Sequence, residues 1–220
     1  MKLLFITGLY PKGDDSYFRN NCKGPFIQNA PNVFQWALVD GLRLNNVDFK
    51  VASCPFLPSF PTGYKQLYSP DESLICDNLE IGRVLKYNTL LLYKYRSIRR
   101  AIYRYAKKWC IENSNDKLLN IIVYTTWPEY VWPIIELKKS FPQVRITTIV
   151  TDLIDDALNF DANKSFLKRL QIKGQKRSVK KSYAYIDKFV LLTKYMVEKI
   201  PESYNKYIVV EGICSPYRIT

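Results

Sequence analysis

Short apolar runs recur along the whole chain, and segments with helical spacing separate them. Residues 2–7 (KLLFIT), 47–53 (VDFKVAS), 120–126 (NIIVYTT), 144–150 (VRITTIV), 187–193 (DKFVLLT) and 207–211 (YIVVE) read as strands, and a further short strand is expected at 79–86. Helical spacing covers 30–45, 90–111, 128–140, 163–184 and 194–200. Such alternation constrains the fold strongly. Parallel neighbours need a crossover between them, and the crossover helices then cover the sheet. The predicted fold is α/β: a doubly wound, mainly parallel, Rossmann-like sheet in three α/β/α layers. A single domain is expected over 1–220, with no linker.

Two connections are long. Residues 9–29 read as a polar loop, and 54–78 as an irregular, aromatic-rich loop with four prolines. Loops of that length are commonly functional or mobile. Pro133 is predicted to kink the 128–140 helix or to mark its true start. No apolar stretch reaches the ~18–20 residues of a spanning helix. The opening KLLFIT run has one Lys before it closes at Gly8, but no small-residue cleavage site follows, so it reads as a buried strand.

The chain has no His among its 220 residues. That excludes a Ser-His-Asp or Cys-His nucleophile and a zinc-protease helix built from this chain alone. A general base here is Asp, Glu, Lys, Tyr or Cys, or comes from elsewhere. The five cysteines are scattered and lack a CxxC spacing. They read as reduced thiols of a cytosolic protein, with no metal site. No GxGxxG or GxxxxGK[ST] follows the first strand, so no dinucleotide or nucleoside-triphosphate cofactor is expected.

The net charge of +13 is concentrated. Nine basic and no acidic residues lie between Glu80 and Glu112, and eight basic and no acidic ones between Asp161 and Asp187. These stretches hold 17 of the 33 basic residues, leaving 16 against 20 acids elsewhere. On a helical wheel Leu91, Tyr95, Ile98, Ile102, Tyr105, Ala106 and Trp109 share one face, and Arg96, Arg99, Arg100, Arg104 and Lys107 the other. The basic face is either a solvated surface or a contact for a polyanion. A Lys or Arg near an anionic bilayer is worth about 1 kcal/mol. Nucleic acid is the weaker alternative, because no nucleic-acid module signature accompanies the charge.

In open α/β sheets ligands bind beyond the carboxyl ends of the strands. Those ends lead to Gly8–Leu9–Tyr10 with the Lys23–Gly24–Pro25 loop, to Tyr124–Thr125–Thr126–Trp127, to Thr151–Asp152–Leu153, and to Thr193–Lys194–Tyr195. They are expected to converge on one crevice. Its aromatic, Thr, Asp and amide groups suit a polyhydroxylated ligand. Asp152 alternatively caps a helix, and Asp155 and Asp156 read as solvated turn residues.

Several segments, in order, resemble the N-terminal half of a GT-B glycosyltransferase, close to the retaining family-four type. They are MKLLFITGLYP, KGPFIQNAPNVFQWALVDGLRLNNVDFKVAS, IVTDLIDD, DKFVLLTKYMVEKI and YIVVEGI. The resemblance implies an acceptor-binding domain. The full enzyme would move a sugar from a nucleotide-sugar donor to a polysaccharide or lipid-linked acceptor. The acceptor wall is then expected to hold Gly24, Gln28, Tyr124, Trp127 and Thr193, with Asp152 polarising an acceptor hydroxyl. Arg96, Arg99, Arg100, Arg104 and Lys107 would face the inner membrane surface of a cytoplasmic, peripheral protein. The family usually has two consecutive glycines in the first loop, where this chain has Lys23–Gly24, and many members have a His near Asp152. Its donor site lies on a second domain, so this chain alone is expected to be inactive. The rival reading is a stand-alone module that binds anionic membrane or nucleic acid through its basic helices. A small α/β enzyme such as an epimerase is a third, disfavoured by the missing phosphate fingerprint.

Overall fold

The computed structural model describes residues 2–12, 16–24, 29–157 and 166–212. Eight strands form one sheet: β1 (Lys2–Thr7), β2 (Asp48–Ser53), β3 (Glu72–Cys76), β4 (Leu79–Val84), β5 (Leu119–Tyr124), β6 (Val144–Val150), β7 (Lys188–Leu191) and β8 (Tyr207–Val209). Their order is β3-β4-β2-β1-β5-β6-β7-β8, and every pairing but β3–β4 is parallel. Among the described residues seven α-helices accompany them: α1 (Ser16–Asn21), α2 (Asn29–Leu44), α3 (Leu91–Glu112), α4 (Pro128–Ser140), α5 (Ile154–Ala157), α6 (Phe166–Tyr183) and α7 (Tyr195–Lys199). The architecture is the expected α/β, Rossmann-like, three-layer one.

The strand order reverses between β1 and β5, whose register pairs Phe5 with Ile122. β1 and β5 are the spine of the core. Leu4, Ile6, Ile121 and Val123 are fully buried. Phe5, Ile122 and Ile149 line a hollow against Ala37, Leu38 and Leu42 of α2. Alternate strand positions turn to the opposite face. There α3 packs on α4, and α4 on α6.

The fold departs from the sequence reading in four places. The 54–78 connection contains β3, paired antiparallel with β4. Asp77 (φ 47°) and Asn78 (φ 62°) form the two-residue turn between them, both in the left-handed region that such hairpins require. The 9–29 loop contains α1, which buries Phe18 against Tyr10. α4 starts at Pro128 and continues through the buried Pro133. The wheel of α3 holds from Ile98 to Trp109, but Leu91 is 57% exposed and Tyr95 36%, because the first turn meets the 55–58 loop through Lys94 and not through these side chains.

Candidate functional site

The tip of β1 is closed by side chains. Gly8 N–H donates to Gln35 Oε1 at 2.8 Å, Tyr10 N–H to Asn32 Oδ1 at 3.0 Å, and Leu9 N–H to Thr7 Oγ1 at 3.3 Å. Gln35 is fully buried and is held in turn by the Pro31 carbonyl at 2.9 Å. The amides that would cradle a phosphate in a glycine-rich loop are therefore engaged within the chain. A Cβ at Gly8 would stand 2.4 Å from the Phe56 ring, so glycine lets that ring close over the strand tip.

The tip of β5 is strained. Thr125 has φ 108°, a region that β-branched residues almost never enter. Three hydrogen bonds hold it there. Its N–H donates to the Ile149 carbonyl at 3.1 Å, its carbonyl accepts from Thr148 Oγ1 at 3.0 Å, and its Oγ1 accepts from Trp127 N–H at 3.3 Å. Strain of this kind persists where the surroundings over-determine it, and such places cluster at functional sites.

Beside it, Tyr124 and Asp152 meet through Thr151. Thr151 Oγ1 donates to Asp152 Oδ2 at 3.1 Å. Burial pushes the Tyr124 hydroxyl up to about 12; its hydrogen bond with Thr151 opposes that rise and the Asp152 charge adds to it. Tyr124 is buried, with its ring 5.9 Å from that of Phe34, while Asp152 is exposed. The partner of Asp152 is thus a hydroxyl, and α5 begins two residues later.

The other expected wall residues are dispersed. Trp127 is half-buried at the start of α4. Thr193 is exposed at the head of α7, where its carbonyl accepts from Met196 N–H at 3.2 Å. Gly24 is exposed, with φ 101°, and the adjacent Lys23 N–H donates to the Gly63 carbonyl at 2.8 Å, so this segment packs on the 59–65 loop. Gln28 lies outside the described residues. Asp155 is not a free turn residue: it pairs with Lys176 at 3.3 Å and Lys180 at 3.0 Å, which hold its carboxyl below the usual range and pin α6.

A hollow of about 350 Å³ opens at the same edge of the sheet, between the 55–58 loop and the first turns of α3 and α4. Trp127, Phe56, Tyr95 and Pro58 form apolar walls, and Lys94 and Glu129 supply the charges. Neither charged residue stood out in the sequence. Glu129 is 8% exposed, and burial raises its carboxyl above the ordinary range against the pull of its own backbone N–H, Lys94 and Arg99. Burial lowers the Lys94 ammonium, which Glu129 partly offsets. Lys94 Nζ donates to the Leu57 carbonyl. The one available signal was an acid directly after the Trp127–Pro128 helix start.

The basic face of α3 is assembled as expected. Arg96, Arg99, Arg100, Arg104 and Lys107 line one groove of about 1170 Å³ with Lys108, bounded by Pro133 and Glu136 of α4. All five are exposed, and among the described residues none forms an ion pair. Lys108 alone contacts Glu112, at 3.8 Å. Leu92 (86% exposed) and Tyr93 (58%) stand at the head of the same helix. Among the described residues no helix is long and apolar enough to cross a membrane, no three His, Cys, Asp or Glu residues could hold a metal, and Cys22, Cys54, Cys76 and Cys110 are free and buried. No protein-family model and no curated relative matches the chain, so the functional reading stands on this geometry.

Proposed function

We propose that this chain is the acceptor-side domain of a glycosyltransferase that works against an anionic membrane surface. The reading is carried by the Tyr124–Thr151–Asp152 contact at the carboxyl ends of β5 and β6, one strand from the point where the sheet order reverses. In this reading the exposed Asp152 carboxylate accepts a hydrogen bond from an acceptor hydroxyl. Thr151 and Tyr124 hold that carboxylate in place. Trp127 offers an aromatic face to a sugar ring, and Thr193 adds a hydroxyl from the neighbouring tip. The nucleotide-sugar donor would bind on a second domain, and closure of the two would exclude water from the transfer.

The basic α3 groove supports the membrane part. Its free cations would meet lipid phosphates while Leu92 and Tyr93 enter the interface. The same groove supports the rival reading, a stand-alone module for anionic membrane or nucleic acid.

A glycan array probed with the full chain separates the two. The transferase reading expects binding to a subset of glycans that Asp152→Asn and Tyr124→Phe weaken by tenfold or more, about the worth of a charge-assisted hydrogen bond. Absence of glycan binding, with salt-sensitive binding to RNA, would overturn it.

A further inference from the structure

A buried carboxylate and a half-buried ammonium line one hollow without forming an ion pair. Glu129, on α4, accepts from its own backbone N–H and feels the Lys94 and Arg99 charges without an ion pair to either. Lys94, on α3, donates one N–H to the Leu57 carbonyl, stands 5.8 Å from the Tyr95 ring centroid, and keeps two N–H groups for other acceptors. No ion pair joins them. The carboxylate and the ammonium both keep hydrogen-bonding capacity on the side of the hollow, which a molecule entering it can take up.

Its shape and chemistry restrict what can complete it. At about 350 Å³ it lies at the small end of ligand sites. An apolar ligand would leave both charges unmet. A simple anion or cation would satisfy one and oppose the other. A pair of neighbouring hydroxyls answers both, because each is donor and acceptor at once. The flat walls of Trp127 and Phe56 match the C–H face of a sugar ring.

We infer that this hollow binds a monosaccharide-sized, polyhydroxylated ring. One hydroxyl donates to the Glu129 carboxylate, a neighbouring one accepts from Lys94 Nζ, and the ring face lies on Trp127 and Phe56. Tyr124, Asp152 and Thr193 do not line the hollow, which shares only Trp127 with the residues expected at the strand tips. The inference rests on the transferase reading for its place in a reaction, but binding here requires no turnover. Sugar binding in this hollow, with glycan binding left unchanged by Asp152→Asn and Tyr124→Phe, retains the inference and loses that reading.

Saturation-transfer NMR on the full chain, with the methyl glycosides of glucose, galactose, mannose and N-acetylglucosamine, tests it. L-phenylalanine serves as the zwitterionic rival. At least one glycoside is expected to bind with Kd of about 1–10 mM. Glu129→Gln and Lys94→Met are each expected to weaken binding about tenfold. Trp127→Ala should abolish it. Thermal melts identify any variant that fails to fold, and the remaining variants then decide. No saturation transfer from any glycoside at ~50 mM, affinity unchanged in the folded variants, or phenylalanine bound in preference to every sugar would each overturn the inference.

Discussion

Lys94 and Glu129 stand on the packed helices α3 and α4, border the same hollow, and form no ion pair. Each is driven by burial towards its neutral form. A fold selected only for stability would close such a pair or replace it with apolar groups. Keeping it open is a cost that a ligand-binding site accounts for.

That cost is measurable. The folded chain holds the Glu129 carboxyl above its usual range, so it binds that proton more tightly than the unfolded chain does. The associated stability is full below the unfolded carboxyl range and is lost as pH rises through the folded value. Glu129→Gln removes this loss. The variant is expected to melt above the parent at about pH 7 and level with it at about pH 4. A variant that melts lower at neutral pH would show that the ionised carboxylate is stabilising.

Glycines at two positions predict opposite effects. In Gly8→Ala the new methyl meets the Phe56 ring at 2.4 Å, and overpacking there is expected to cost about 1–3 kcal/mol. Gly174 lies inside α6, and a methyl added there would meet nothing within 4 Å, so Gly174→Ala is expected to gain about 0.5–1 kcal/mol. Urea melts of both variants check the signs.

The basic groove predicts charge-selective vesicle binding. Sedimentation with phosphatidylserine-containing vesicles is expected to pellet the chain, and neutral vesicles are expected to leave it in solution. Arg96→Ala combined with Arg100→Ala removes about 2 kcal/mol, or roughly 30-fold in partitioning. Leu92→Asp should weaken binding even at low salt, where headgroup attraction is strongest. Equal pelleting with both vesicle types would remove the membrane from the account.

Much of the fold was readable because period and burial agree. β1 is a nearly continuous apolar run, β5 and β6 are β-branched segments, and the buried positions of all three belong to the core. The β3–β4 hairpin was hidden by its proline-rich approach, although Asp77–Asn78 between two apolar runs is a turn with a mechanism. The exposed head of α3 was not readable, since the wheel reports which face is apolar and not where the sheet ends. For the candidate site, the strand ends pointed to Tyr124, Trp127 and Asp152, which lie at or just beyond the tips of β5 and β6. Lys94 and Glu129 carry no motif, lie on different helices and meet only through the packing of α3 on α4. Gln35 closes the β1 tip from within α2, a role its helical position concealed.

Difference density from crystals of the full chain soaked in a methyl glycoside tests the central claim most directly. The expected result is a sugar ring at the carboxyl edge of the sheet, lying on Trp127 with hydroxyls at Glu129 and Lys94. A ring bound on a surface remote from that edge, or none at saturating glycoside, would contradict it.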